Sequence, residues 1–399
     1  MAAAVHPDLP HVEDLRGYRP GGFHPIHIGD RLSKYTVVNK LGHGDTSTVW
    51  LARRDGEDAR CVAVAVHMAD ISRGTETRAM TRWWRLKDGD PGHQGRANVL
   101  LPEDHFDHAG PNGTHFCIVF PVEGQTVSAA TKRGDAGSRP LPSPLAKRVL
   151  RDMVRGLQYS HSMGLAHGDL HPANVLLGLP DTLPPTIAKM TEFSGPPKTV
   201  DLGSGNPSAP KYAVQGIFAR DMDPGFFSGP AKIGDFSDSF FPQDPPARTA
   251  WCGPYVAPEF NSPGRISTAI DMWMLGCGFF EALTGRDLFG IKDDPAYRVV
   301  NAIMQTLGPP PESLLEDWRA YLGDERDKLI VPSGPPSGGL ERLVRDSIGL
   351  SYGTGAVSEE ELGVIVSLLD SLLVYEPKDR PTIEEVAEHK VMSFLEAAN

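Results

Sequence analysis

His167-Gly168-Asp169-Leu170-His171-Pro172-Ala173-Asn174 is the stretch on which the reading of this chain turns. An aspartate with an asparagine five residues later, in a loop that follows a helical run, is the arrangement phosphoryl transfer needs. The aspartate accepts the proton of an attacking hydroxyl, and the asparagine holds a metal ion on the phosphates. Asp169 is therefore the candidate base and Asn174 a candidate metal ligand, and His171 stands between them in the same loop. The apolar Val175-Leu176-Leu177 that follows reads as a short strand that fixes the loop. A polar loop without chemistry is the bland alternative, and the order of residue types argues against it.

Downstream, a second metal-binding aspartate has two candidates. Asp201-Leu202-Gly203 matches an Asp-Phe-Gly pattern better by letters, and Asp235-Phe236-Ser237 departs from it at the glycine. The run to Ala257-Pro258-Glu259 decides: it is 25 residues from Asp235 and 59, through many prolines, from Asp201. Asp235 is preferred, and residues 178–231, rich in Pro and Gly, read as an irregular insert ahead of it. Asp271 opens an apolar helical run, and Arg380 lies in Pro377-Lys378-Asp379-Arg380-Pro381. Together with Glu259 they fit a buried scaffold in which Glu259 pairs with Arg380, a pairing that serves architecture more than stability.

Upstream, Tyr35-Thr36-Val37-Val38, Thr48 to Ala52, Cys61 to Val66 and Phe116 to Phe120 read as strands by β-branched and aromatic enrichment. A helix falls around Glu76 to Leu86. Gly42-x-Gly44 sits between the first two strands, where glycines let backbone amides approach phosphate oxygens. Alone this is a weak signal, since a glycine-rich turn has the same letters. From Ser143 the period changes: Leu145, Val149, Met153, Leu157 and His161 recur at helical spacing, and Thr268–Leu283 and Glu359–Leu373 are further helices. The expected order is a loop-like extension (1–30), a strand-rich lobe (31–124) and a helical lobe (125–396) that carries the insert, an α+β bilobal fold.

Composition narrows the function. The chain has 399 residues, 40% hydrophobic and 23% charged, with 39 basic against 51 acidic side chains and a net charge of −12. So acidic a protein is a poor binder of nucleic acid and of anionic membranes and suits a basic partner better. Cys61, Cys117, Cys252 and Cys277 form no C-x-x-C pair and read as reduced thiols. No basic start precedes an apolar run at the N-terminus, and the most apolar stretch is too short to span a bilayer. Cytosol or nucleus, and a monomer, are the expectations.

Taken together these motifs resemble the eukaryotic protein kinases over roughly residues 30–396, and more narrowly the SR-protein kinases and their fungal relatives. Tyr18-Arg19-Pro20-Gly21-Gly22-Phe23-His24-Pro25 with Gly29-Asp30, Leu41-Gly42-His43-Gly44 with Ser47-Thr48-Val49-Trp50-Leu51-Ala52, Gly113 to Phe120 and Leu307-Gly308-Pro309-Pro310-Pro311 carry the narrower likeness. The resemblance implies a Ser/Thr kinase that uses ATP and Mg2+ on basic, Arg-Ser-rich proteins such as splicing factors. It implies a nucleotide in the cleft between the lobes: Leu41, Gly42, Gly44 and Val49 over the phosphates and base, Ala63 roofing the adenine, Phe120 at the back, and the backbone at Val122 meeting the adenine edge. Asn174 and Asp235 would hold magnesium.

The chain departs from that pattern at the strand that should read V-A-x-K. It reads Val62-Ala63-Val64-Ala65, so the phosphate-pairing lysine is Ala65, and Glu76, the expected helix partner, has lost it. Losing one positioned charged donor in a dry site typically costs about 2.7–4 kcal/mol, or roughly 10²–10³ in rate. His171 also replaces the usual loop lysine, Gly168 stands where an arginine is common, and Ser237 replaces a glycine. Three readings follow: an impaired protein kinase, a pseudokinase that binds nucleotide or scaffolds, and a small-molecule kinase of the antibiotic-phosphotransferase type. Ala257-Pro258-Glu259 with a full preceding segment argues against the third.

Overall fold

The computed structural model describes residues 12–56, 60–133, 137–203, 205–218, 222–290, 294–334, 336–353 and 357–396, and only the backbone of 73–79, 132–133 and 137–138. Two compact units are formed. One comprises Met1–Asp88, Leu100–Gln125 and Leu177–Gly229, and the other Gly89–Val99, Thr126–Leu176 and Pro230–Asn399. One seam falls at Gln125, beside the boundary expected near residue 124, but Gly89–Val99, expected in the strand-rich lobe, belongs to the helical unit, and Leu177–Gly229, expected in the helical lobe, belongs to the sheet unit.

The sheet unit is built on six antiparallel strands, β1 (Arg31–Leu32), β2 (Tyr35–His43), β3 (Ser47–Arg54), β4 (Cys61–His67), β5 (Asp104–Gly110) and β6 (Gly113–Phe120), in the order β1-β2-β3-β4-β6-β5. Helix α1 (Ala69–Lys87) follows β4. β4 is apolar on both faces, the mark of a strand covered on both sides. Its faces differ in size. Val62, Val64 and Val66 pack with Trp50, Tyr35 and Val37 on one side. Cys61 and Ala63 pack with Leu41, Leu51 and Val122 on the other. Ala65 has the parity of Cys61 and Ala63 and is 8% exposed. The small face leaves room for something bulky.

The helical unit holds α2 (Val127–Thr131), the short β7–β8 hairpin (Lys132–Arg133, Gly137–Ser138), α3 (Ser143–Ser162), and later α5 (Ala269–Thr284) to α11 (Val391–Glu396). In α3 the heptad-like positions Leu145, Val149, Met153 and Leu157 are all buried. Helix α5 is buried on every side, as befits the axis of a helical layer. It stops at Gly285, whose φ of 72° and close approach to the Arg139 backbone exclude a side chain.

The insert is not structureless. It is bracketed by β9 (Val175–Gly178) and β12 (Gly229–Ile233), which pair, and it contains helix α4 (Ile187–Ser194) and a hairpin of β10 (Thr199–Asp201) with β11 (Tyr212–Val214). The prolines mark its corners, while an apolar stripe that composition obscures makes it fold.

Candidate active site

In the helical unit the loop after α3 is held from below by Asp271. Its Oδ2 accepts the His167 amide at 2.7 Å and the His161 imidazole at 2.8 Å, and its Oδ1 accepts the Gly168 amide at 2.8 Å. The His167 ring is fully buried; its Nε2 meets the Gly234 carbonyl at 2.9 Å, and its Nδ1 accepts the Asp169 amide at 3.2 Å. That pair of bonds requires the neutral Nε2–H tautomer.

Asn174 Nδ2 donates to the Asp169 carbonyl at 2.9 Å and to its Oδ2 at 3.3 Å, so the Asn174 amide oxygen is the donor left for a metal. His171 Nε2 lies 3.4 Å from Asp169 Oδ2, and its Nδ1 accepts the Ala173 amide. Its ring stacks on Tyr255 with centroids 5.3 Å apart. The Tyr255 hydroxyl donates to Glu281 and to Asp287, and burial followed by those two charges drives its pKa well above the normal range. Burial pushes the Asp169 carboxyl up, but the hydrogen bond and charge of His171, with His167 and Asn174, outweigh it and hold the carboxyl below its ordinary value. Asp169 Oδ1 is buried with no partner among the described residues.

Asp235 follows β12 in the same unit, its neighbour Gly234 donating to the Asn174 carbonyl at 2.8 Å. It takes a left-handed φ of 56° and accepts the Ser237 hydroxyl at 2.7 Å. A carboxylate and an amide oxygen are hard donors that suit magnesium, which takes one or two protein ligands and completes its shell with phosphates and water. Asp201 lies in the β10 hairpin of the sheet unit, exposed, and bonds its own turn at Gly203. Gly168 has φ 82°, and a Cβ there would stand 2.4 Å from the Asp238 carbonyl oxygen. The loop therefore has no room for an arginine at 168, a physical reason that its letters alone do not supply. Arg380 grips both Glu259 oxygens at 2.7 and 2.8 Å, with both side chains fully buried.

In the sheet unit, Ala65 pairs across the sheet with Val49 and Ile118. Lys40, on β2, is fully buried but has the opposite parity: it pairs with Trp50 and bonds Glu13, whose carboxylate also accepts the Tyr18 hydroxyl. Glu76 lies on α1, and its side chain is outside the described residues. Gly42 pairs with Val49, and Gly44 donates to the Ser47 carbonyl at 2.9 Å, so the glycine turn is formed.

The expected base-facing residues Leu41, Val49, Ala63, Phe120 and Val122 do come together, but with company that the sequence reading missed. Leu183 and Met190, with Ile187, Phe193, Ile217, Phe218 and Phe226 around them, complete the same apolar cluster. Leu41, Ala63 and Val122 are only 4–7% exposed. This face is largely covered in the present conformation. The missed signal was legible: Ile187, Met190 and Phe193 form a helical stripe with Leu183 just ahead of it, and the Cys-Ala-Ala face of β4 asks for a large neighbour.

Comparisons with known proteins agree with this fold. A protein kinase domain model matches residues 217–392. A serine/threonine-protein kinase SRPK of Physarum polycephalum is 28% identical over 96% of this chain and 91% of its own length. The human SRSF protein kinase 3 is 36% identical over 51% of this chain and 36% of its own, and the Schizosaccharomyces pombe protein kinase dsk1 is 34% identical over 42% and 31%. The chain thus matches about a third of the length of the last two. A crystal structure of a kinase domain superposes with a TM-score of 0.61 at 20% identity, over 93% of this chain and 98% of the other. The fold is that of a protein kinase. Within that class, the chain is similar in sequence to the serine/threonine kinases of the SR-protein-kinase group.

Proposed function

We propose that the chain phosphorylates serine or threonine hydroxyls of basic, Arg-Ser-rich proteins, slowly, with ATP and magnesium, acting as a monomer in the cytosol or nucleus. The observation that carries this reading is the Asp169 loop. An ionised carboxylate has one oxygen tied to Asn174 and the other buried without a partner, where an unpaired oxygen has no architectural use. A substrate hydroxyl is the partner it lacks. Asp169 would take the hydroxyl proton while the His171 Nε2–H keeps the carboxylate oriented. Asn174 and Asp235 would hold magnesium, and ATP, when bound, supplies the phosphoryl group. Supporting the substrate class are the net charge of −12 and the names of the relatives. Without a lysine at 65 the rate should be lower by roughly 10²–10³.

The test is phosphotransfer to an Arg-Ser repeat peptide, wild type against Asp169→Asn. Slow transfer that disappears in the variant supports the reading; equal rates would refute it. Ala65 favours a second reading, a pseudokinase scaffold, and that reading gains if the wild type shows no transfer beyond background.

A further inference from the structure

We infer that the insert is an internal gate: helix α4 and the Ile217–Phe218 bend occupy the adenine face of the sheet unit and must leave it before a nucleotide can bind. The inference rests on the proposed nucleotide use of that face. Its evidence lies wholly within the sheet unit.

Four kinds of contact seat the gate. The apolar stripe Leu183, Ile187, Met190 and Phe193 closes over Leu41, Cys61, Ala63 and Val122, and Met190 is completely buried. Backbone bonds stitch the edges: the Cys61 amide donates to the Pro185 carbonyl at 2.8 Å, and the Ile217 amide to the Lys40 carbonyl at 2.8 Å. Gly216 lies against the start of the glycine turn, where a Cβ would be 2.9 Å from the Leu41 carbonyl oxygen. Asn39 Nδ2 donates to Ser194 Oγ at 3.2 Å. The opposite face of α4, Ala188, Lys189, Thr191 and Glu192, is exposed.

The same insert has a fixed anchor. The β10–β11 hairpin is tied to the other side of the sheet: Val214 joins the cluster of Trp50 and Val64, the Tyr212 hydroxyl accepts the Ile28 amide at 3.0 Å, and the Ser208 carbonyl accepts Asn112 Nδ2 at 2.8 Å. Between anchor and gate stands Gly195, left-handed at φ 65° with open space around its Cβ position. A helix of eight residues has no stability alone. α4 is helical because the sheet face holds it, so displacing it is an order-to-disorder change and not a rigid swing. A site whose competent state is a minority binds its ligand more weakly by that fraction. The gate therefore lowers nucleotide affinity independently of the missing lysine.

The test locks the gate in the full-length protein. Asn39→Cys with Ser194→Cys places two thiols where the wild-type side chains touch. Binding of Mg-ATP is then measured by calorimetry, oxidised and reduced. We expect at least a tenfold weaker binding when oxidised, restored by dithiothreitol, and at least a tenfold tighter binding in Met190→Asp than in the wild type. Hydrogen exchange on the wild type is the arm that needs no substitution: residues 187–194 should exchange faster with ATP bound. Equal affinity in the locked and reduced forms, or exchange unchanged at saturating ATP, overturns the gate while leaving the kinase reading intact. Absence of binding in every form, Met190→Asp included, overturns the nucleotide reading and the gate with it.

Discussion

Each unit buries a charge pair, and the two pairs stand in different relation to the chemistry. In the helical unit, Arg380 bonds both oxygens of Glu259 and the carbonyls of Val374 and Ala269, and its guanidinium lies 5.2 Å from the Trp273 ring centre. That pair and Asp271 belong to one rigid frame beneath Asp169. In the sheet unit, Lys40 meets Glu13 and the Trp50 ring on the face away from Ala65. The sheet unit thus keeps a buried lysine for architecture and lacks one where a phosphate would be held. The comparison separates the two halves of a phosphotransferase. The groups proposed to activate the acceptor and to hold the metal are in place; the lysine that would grip the donor is missing, and the apolar face proposed for its base is covered. Much of the kinase-like motif would persist in a non-catalytic scaffold, because Asp271, Glu259 and Arg380 are structural. Asp169 Oδ1 is the exception, since nothing architectural explains it.

The largest expected effects come from cutting either pair. Removing one partner of a buried pair leaves an uncompensated charge and destabilises by about 3–5 kcal/mol. Glu259→Ala should lower the urea midpoint sharply and should loosen the Asp169 loop, seen as faster hydrogen exchange at 167–174. Lys40→Met should destabilise comparably or less, because Glu13 keeps the Tyr18 hydroxyl and can protonate, and it should leave exchange at 167–174 unchanged. If Lys40→Met instead accelerates exchange in the Asp169 loop, the two frames are not independent and the comparison fails.

Restoring the donor side is the next test. Ala65→Lys adds the missing cation, and by the magnitude above it should raise phosphotransfer about 10²-fold or more. The new side chain also lies on the face covered by the insert, so it should speed exchange in α4 even without nucleotide. A wild type that turns over as fast as the lysine variant would show that another cation has taken the role.

The sequence made the helical-unit site legible almost completely, and for a physical reason. Catalytic loops are local: Asp169 and Asn174 are five residues apart, and the positions of Asp235, Glu259 and Arg380 follow from motifs whose spacing is stereotyped. The sheet-unit site was read only by composition of its strands. That Leu41, Ala63 and Val122 lie together follows from strand parity. That Leu183 and Met190 cover them depends on a long-range packing choice, and the many prolines of 178–231 masked the helical stripe that makes it. The unit assignment of the insert failed for the same reason, since chain order placed it with the helices while its apolar side chains placed it on the sheet.

Gly168 offers a smaller effect on the intact side. A non-glycine residue at φ 82° costs roughly 1–2 kcal/mol, and the 2.4 Å approach to the Asp238 carbonyl adds to it. Gly168→Arg should therefore destabilise by about 2–3 kcal/mol by those magnitudes. Gly44→Ala, where a Cβ meets nothing closer than 3.8 Å, should change the urea midpoint little. A neutral Gly168→Arg would mean that the segment after Asp235 yields easily, and the rigidity claimed for this side would be lost.

The smallest effect separates the units by pH. His24 in the sheet unit lies 3.1 Å from His108 through their Nε2 atoms, with the His115 ring 4.9 Å away and His27 also contributing. Burial first, then those three imidazoles, lowers the His24 pKa from 6.5 to about 3, and burial lowers His108 and His115 as well. A histidine kept neutral in the fold takes up its proton on unfolding, so its contribution is complete above pH 6.5 and shrinks as the pH falls toward 3. From pH 7.5 to 5.5 that amounts to about 1 kcal/mol for His24 alone. Asp169 in the helical unit has its pKa lowered, so its contribution is held until the pH falls below the ordinary carboxyl range. Hydrogen exchange at pH 5.5 should thus show the sheet unit loosened while 167–174 stays protected, and His24→Asn should flatten the stability slope across that window. Equal loosening of both units at pH 5.5, or a slope that His24→Asn leaves unchanged, would place the acid-sensitive group elsewhere.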